Sequence, residues 1–562
     1  MINTNNRRTT MNSASYPRIL QNKLYLYLTE FFSGMAVMAV EIGAQRLIAP
    51  YFSSSQIVWT IIIGMIMIAM AAGNIYGGKK ADKDQNPDKL YGRILFAAIW
   101  LALIPFLGKY IIVGISALVI FSVNANYLIL AAFATCLIVF VFPLFLLGTV
   151  TPSLAKYTMR SLEEGGSVVG TLGAANTIGS ILGTFLPTFV TIPAIGTSIT
   201  FLIFAGILIA LCIVYFLSER RGQKKSVTAA ILFIVASLLG YQTNFAFWES
   251  KDGILYEGES VYNYLRVQDT PTETILSTNV LFGVQSLLEK TNRLTGMYYD
   301  YALAAPYMVQ NPKDVLILGM GSGTYAHQLN KYMPGLNISG VEIDDKITDL
   351  AHKYFALPET IPVSEYDGRA YLNETDDTYD VIMVDAYQDI TIPFQMSSVE
   401  FFNSVKTHLK PGGVMVVNLN MHGTRQGGIA DWLSDTIASV FPNVMTVDVP
   451  GNTNRELFAS DQDMSTQMKS SISTIHDSQL KKFMRQASSQ MSVYHSSGHL
   501  LTDDKAPVEL LGMKELDNII REQVQPYREI YKEEGLQGLL KSFGSPKSLG
   551  DLSKSMEESV GE

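Results

Sequence analysis

Seven long apolar stretches crowd the first 245 residues, and no other feature limits the fold of this chain as strongly. They fall at about 24–48, 57–77, 93–120, 127–150, 168–192, 196–217 and 226–245. Most are long enough to cross a bilayer core, which takes about 20 helical residues. In lipid such a segment satisfies its backbone only as a helix. The chain therefore divides into a polar N-terminus at 1–22, a transmembrane domain of about seven helices at 23–247, and a soluble remainder. Gly108 and Lys109 interrupt the third stretch, which reads either as one tilted helix or as a short helix plus an interfacial piece.

Basic residues give the orientation. Lys79, Lys80, Lys83, Lys89 and Arg93 follow the second stretch, Lys156 and Arg160 the fourth, and Arg220, Arg221, Lys224 and Lys225 the sixth, while the loops between are nearly free of Lys and Arg. The N-terminus is thus expected on the cytoplasmic side of a cell membrane, with the bilayer as a partner. Seven full crossings carry the C-terminal part outside, yet its glycine-rich turn at 319–323 is of a kind that takes a nucleoside, which the cytoplasm supplies. The side of the soluble part stays open. Labelling of a cysteine introduced at Ser548, by an impermeant reagent in intact cells, would exclude a cytoplasmic location.

Within the apolar half, Glu30 and Glu41 stand eleven residues apart on one helical face. Ionisable groups in lipid are costly and often mark an ion or amine path. The plainer reading, preferred here, pairs Glu41 with Arg46 or another span and leaves Glu30 near the interface. Gly170, Gly173, Gly179 and Gly183 in the fifth stretch suit close helix approach, with Asn176 as an interhelical donor. A net charge of −9 and a pI near 5.4, with no basic face, argue against nucleic acid as a partner. Cys136 and Cys212 both lie in apolar runs, so neither a disulfide framework nor a Cys-rich metal site is expected. His422, His495 and His499 are too dispersed to ligate a metal.

The soluble part begins with ILYEGES, VYNYLRVQD, ETILSTNV and FGVQSLLE, short runs that predict a small antiparallel β-module at 250–296. TGMYYDYALAAPYM reads as a helix leading into a domain at 297–530, where strands alternate with helices and imply a parallel sheet covered on both faces. Residues 545–562, rich in Ser, Lys, Glu and Gly, read as a flexible tail. The centre of this domain is DVLILGMGSGTYAHQLNKYMPGLNISGVEIDD. An apolar strand breaks into Gly319, Gly321 and Gly323 with Ser322 among them, and a second strand ends in Glu342. Glycines let the backbone approach a ligand, and a carboxylate at the second strand tip can accept both hydroxyls of a ribose. Asp367 and Asp385 also fall at strand ends, the edge where sheets of this type bind ligands. Asp385 ends the apolar strand within YDVIMVDAY, beside the glycine loop.

The order SVYNYLRV, VQSLLE, TGMYYDYALAAP, VLILGMGSGT, GVEID, YDGRAYL, YDVIMVDAY, IPFQMSSVEFF and LTDDKAPVE resembles the spermidine synthase family of aminopropyltransferases over about residues 250–512. The apolar N-terminus is similar to that of its membrane-fused branch. The resemblance implies a small β-module followed by an α/β AdoMet-methyltransferase-like Rossmann domain, behind a multi-pass α-helical membrane domain. It implies transfer of an aminopropyl group from decarboxylated S-adenosylmethionine to a small-molecule amine such as putrescine, without a metal. Asp385 matches the catalytic aspartate, and Gly319, Gly321, Ser322, Gly323, Glu342, Asp367 and Gly368 match the donor-binding positions, Glu342 on the ribose and Asp367 with Gly368 on the adenine amino group. Gln285, Tyr298, Asp300, Gln388 and Asp389 match the acceptor cleft. The chain also departs from the family pattern. Ser322 stands where an acidic residue contacts the donor ammonium, Gln388 replaces the second aspartate of the catalytic loop with Asp389 displaced by one, and Tyr299 and Asp300 replace a His-Glu pair. A thinner acidic clamp keeps open a transferase using intact S-adenosylmethionine, most simply a methyltransferase on a membrane-associated acceptor, and a transporter or sensor whose soluble domain only binds a polyamine or nucleoside. Oligomeric state is open.

Overall fold

Residues 1–119 and 129–250 form one unit of the chain, residues 120–128 and 251–562 the other. The computed structural model describes residues 18–52, 55–84, 86–123, 125–159, 164–218, 222–241, 253–278, 284–291, 293–386, 392–420, 422 and 427–544. Gln388, Asp389 and the expected tail at 545–562 lie outside them.

The first unit is helical. Among the described residues, six helices are long and apolar enough to cross a membrane: Lys23–Phe52, Gln56–Lys83, Pro87–Ser122, Tyr127–Thr158, Gly165–Ser218 and Gln223–Gly240. The third stretch is thus one helix of 36 residues. The fifth and sixth stretches share one run of 54 residues, in which Gly196 leaves helical geometry (φ 83°, ψ 164°) and breaks the helix. Helix Lys23–Phe52 meets Gly165–Leu186 backbone to backbone. A Cβ added to Gly179 would stand 2.0 Å from the carbonyl oxygen of Phe31, and one on Gly183 2.1 Å from that of Met35. Only glycine permits that approach. Asn176, one turn earlier, donates to Glu30 Oε1 at 2.9 Å. Glu30 is therefore enclosed between helices.

In the second unit, β1 (Ile254–Glu259), β2 (Tyr264–Asp269), β3 (Glu273–Thr278) and β4 (Ser286–Glu289) form an antiparallel sheet in sequence order. The expected helix after it is two short helices, Tyr298–Ala302 and Ala304–Tyr307. An eight-stranded sheet follows, built from β5 (Asp314–Leu318), β6 (Asn337–Glu342), β7 (Val363–Glu365), β8 (Tyr379–Val384), β9 (Leu409–Leu419), β10 (Asn443–Asp448), β11 (Arg455–Ser460) and β12 (Ser492–Val493). Its order is β12-β10-β11-β9-β8-β5-β6-β7. The strands from β7 to β9 run parallel, and β11, β10 and β12 add antiparallel neighbours beyond β9. A parallel sheet alone was expected; the hairpin of β10 and β11 returns too soon for the helical crossover that a parallel pair needs.

Alternation along the central strands divides two cores. Val315, Ile317, Val381 and Met383 pack on one face with Tyr298 and Tyr325, while Leu316, Leu318, Ile382 and Val384 pack on the other with Phe401 and Leu433. Both faces being covered, only the strand ends remain for polar chemistry. The order of strand addition reverses at β5, which lies between β6 and β8, and the crevice at such a switch point is where ligands bind.

Candidate active site

At the carboxyl ends of β5, β6 and β8 the second unit holds a cavity of about 250 Å³. The loop after β5 forms its floor. Gly319 and Met320 donate their N–H groups to Val341 O at 2.9 and 3.1 Å, tying the loop to β6. Gly319 has φ 91°, and a Cβ there would lie 2.5 Å from the carbonyl oxygen of Asp385. Both facts require glycine. Gly321 lines the cavity, whereas Gly323 sits behind it in left-handed conformation as the cap of helix Thr324–Tyr332. Ser322 does not line the cavity: its hydroxyl lies 3.2 Å from Thr324 Oγ1, and its N–H donates to Ser286 Oγ. The position where the family pattern has an acid is therefore occupied by a buried side chain turned toward Thr324.

Glu342 ends β6 beside this loop. Its carboxylate accepts from Gly321 N–H at 2.9 Å and from Asp344 N–H at 3.2 Å. Burial pushes the carboxyl up to about 7, against the pull of those backbone donors. Asp367 caps helix Gly368–Glu374, accepting from Arg369 and Ala370 N–H at 3.0 and 2.9 Å, and with Gly368 it lines the cavity. Ile343 and Met396 supply apolar wall nearby.

Asp385 follows β8 and faces the same cavity as Gln285 and Tyr299. Two donors grip it. Tyr298 Oη donates to Oδ2 at 2.6 Å and Asn418 Nδ2 to Oδ1 at 2.9 Å, with Asn418 in turn held by Asn454 Nδ2 at 2.7 Å. Burial pushes the Asp385 carboxyl up to about 7; the two hydrogen bonds oppose the shift and the nearby Glu342 adds to it. Burial and the carboxylate hold the Tyr298 phenol far above its ordinary value, so it remains a donor. Tyr298 thus stands behind Asp385 and outside the cavity lining.

Asp300 is elsewhere. It is fully buried and its oxygens accept from Thr295 N–H and hydroxyl, Gly296 N–H and Gln328 Nε2. The expectation of an acceptor contact at Asp300 is not met, because the carboxylate is spent on the turn that precedes its own helix. Asp503 meets Arg369 through both guanidinium nitrogens at 2.7 and 2.6 Å, which fastens LTDDKAPVE beside Asp367.

Several groups escaped the sequence. Tyr262 and Asn263, in the β1–β2 turn, line the cavity opposite Glu342. Their turn is latched by Asp344, wholly buried, which accepts from Ser260 Oγ at 2.6 Å and Asn263 Nδ2 at 2.7 Å. Glu456 opposes Asn418 across β11 and β9, on the face that Asp385 shares. It is fully buried, and neither oxygen accepts a hydrogen bond among the described residues. Burial, reinforced by Asp385, holds its carboxyl well above the ordinary range. A lone Glu in the alternating run RELFAS carries only a weak signal; its neighbours are set by strand register.

A spermine/spermidine synthase domain matches residues 300–455. A protein of Bifidobacterium longum described as a probable polyamine aminopropyl transferase is 52% identical over 348 residues, 59% of this chain and 78% of that protein. Polyamine aminopropyltransferase 1 of Aquifex aeolicus is 30% identical over 171 residues, 29% of this chain and 59% of that one. A crystal structure of a probable spermidine synthase from Corynebacterium glutamicum aligns with 42% of this chain and 95% of its own at 22% identity and a TM-score of 0.34. With a relative 52% identical across 78% of its length, the chain belongs to the spermidine synthase family and is a transferase of the polyamine aminopropyltransferase type.

Proposed function

We propose that this protein transfers an aminopropyl group from decarboxylated S-adenosylmethionine to an aliphatic amine such as putrescine, anchored in a membrane by its helical unit. The observation that carries the reading is Asp385, gripped at 2.6 and 2.9 Å by Tyr298 and Asn418 in the cavity that also holds the glycine loop and Glu342. A sulfonium is already a good leaving group. The site therefore needs to hold an unprotonated amine in line with the carbon attacked. The amine nitrogen forms a bond to the terminal aminopropyl carbon next to sulfur, the carbon–sulfur bond breaks, and methylthioadenosine leaves with the electron pair. Asp385 takes the proton lost by the amine.

The residues fit a nucleoside. Glu342 would accept the ribose hydroxyls, while Asp367 and Gly368 meet the adenine edge between Ile343 and Met396. Tyr298 acts through Asp385, which it orients. Gln285 faces the acceptor end, and Glu456, kept neutral by burial and by Asp385, lies behind Asp385. No carboxylate projects from the glycine loop toward the donor side chain, an observation that also suits intact S-adenosylmethionine and a methyl transfer. Incubation of the purified protein with each sulfonium compound and a panel of amines decides between them. Methylthioadenosine, lost in Asp385→Asn, is the expected product; S-adenosylhomocysteine would show the methyltransferase, and binding of neither compound would refute both.

A further inference from the structure

One carboxyl group inside the helical unit is only half used. Glu30, on helix Lys23–Phe52, has no solvent exposure. Its Oε1 accepts from Thr151 Oγ1 at 2.5 Å and from Asn176 Nδ2 at 2.9 Å. Its Oε2 is equally enclosed and has no hydrogen-bond partner among the described residues. Ser33 stands one helical turn along the same face, 3% exposed, and its hydroxyl likewise has none among them. Close packing holds the node rigid: a Cβ on Gly34 would lie 2.6 Å from Asn176 O.

Neither protonation state completes this arrangement. If Glu30 is ionised, Oε2 lacks a donor. If it is neutral, Oε1 already receives two hydrogen bonds, so the proton belongs on Oε2 and lacks an acceptor. Adhesion between helices does not require the acid, because a glutamine would keep both bonds to its amide oxygen without an ionisable group. A carboxyl kept within an apolar bundle under these conditions marks a cation site. The chemistry narrows the cation. A metal ion such as calcium or magnesium takes six or more oxygens, whereas the unpartnered acceptors here are Glu30 Oε2 and Ser33 Oγ. A primary ammonium brings one positive charge and three N–H donors, which suits a carboxylate oxygen beside a hydroxyl.

We infer that Glu30 and Ser33 form an amine site within the helical unit, distinct from the cavity of the second unit, which takes the ammonium head of an aliphatic amine. The choice of amine class rests on the reaction proposed above. The test is equilibrium binding of radiolabelled putrescine to the full chain in lipid nanodiscs, with aminopropyl transfer measured on the same preparation. Glu30→Gln is expected to lose one bound putrescine per chain relative to wild type while transfer stays within about two-fold. Ser33→Ala is expected to keep the stoichiometry and weaken one site about ten-fold. Equal stoichiometry in wild type and Glu30→Gln would overturn the inference. If Glu30→Gln does not assemble as a monodisperse particle, unchanged affinity in Ser33→Ala overturns it instead. Should the reaction reading fail, wild type binds one putrescine and Glu30→Gln none, whereas failure of the membrane site leaves both variants like wild type.

Discussion

Replacing Tyr298 by Phe is the sharpest test of how Asp385 is kept usable as a base. The phenol donates to Asp385 Oδ2 at 2.6 Å in a buried setting, and a hydrogen bond to an ionised group contributes about 1.5–3 kcal/mol. At 1.36 kcal/mol per pKa unit, its loss raises the carboxyl by about 1–2 units. The starting value is about 7, so the variant titrates at about 8 to 9. Burial has raised this carboxyl, so its base form is gained as pH rises through about 7 and lost below it. At pH 7 the ionised share falls from about half to roughly 1–10%, and kcat/KM should drop about 5- to 50-fold. Near pH 10 most of that loss returns. The assay is methylthioadenosine release from pH 6 to 10, expressed as the ratio of variant to wild type, which cancels ionisation of the amine itself. A ratio that does not change with pH would refute the reasoning, since a purely steric defect gives that result.

Other perturbations address the donor side and the helical unit. Glu342→Gln should raise KM for the donor about 10- to 100-fold with a smaller change in kcat, measured by initial rates, because the bonds to a ribose would lose their charge. In the wild type, donor affinity should weaken as pH falls below about 7, where Glu342 takes up a proton. Asp344→Asn should release the β1–β2 turn and raise donor KM about ten-fold, as two charge-assisted bonds become neutral, with kcat within about two-fold. Gly183→Val should lower the unfolding temperature of the helical unit in detergent while leaving that of the second unit unchanged, because a Cβ 2.1 Å from Met35 O forces the two helices apart.

How much of this was legible in the chain depended on the range of the contact concerned. The glycine loop, Glu342, Asp367 and Asp385 stand at the ends of apolar strands, and strand ends of a parallel sheet converge on one edge whatever the details. Spacing alone misjudged Asp300. It sits one residue past the tyrosines of the cleft, yet a short helix turns it inward, and three neighbours from Thr295 to Gln328 claim its oxygens. Asn418 and Glu456 could not be foreseen, because their nearness to Asp385 comes from register across β8, β9 and β11. The Asp344 latch joins residues 81 and 84 positions apart. In the helical unit, Asn176 was legible as an interhelical donor, but its partner Glu30 lies 146 residues away.

The change of strand direction beyond β9 divides the work of the site between two kinds of backbone. Groups proposed to meet the nucleoside follow the parallel strands β5, β6 and β8, whose ends are locked by helical crossovers and by the contact of Gly319 with Asp385. Groups behind the acceptor end, Asn454 and Glu456, arrive on the returning arm of one hairpin, through the short turn at 449–454. A hairpin turn tolerates insertions and exchanges that a crossover does not. On the proposed reading, half a dozen residues can be remodelled behind Asp385 while the parallel strands stay unchanged, which makes this turn the place to test for altered amine choice.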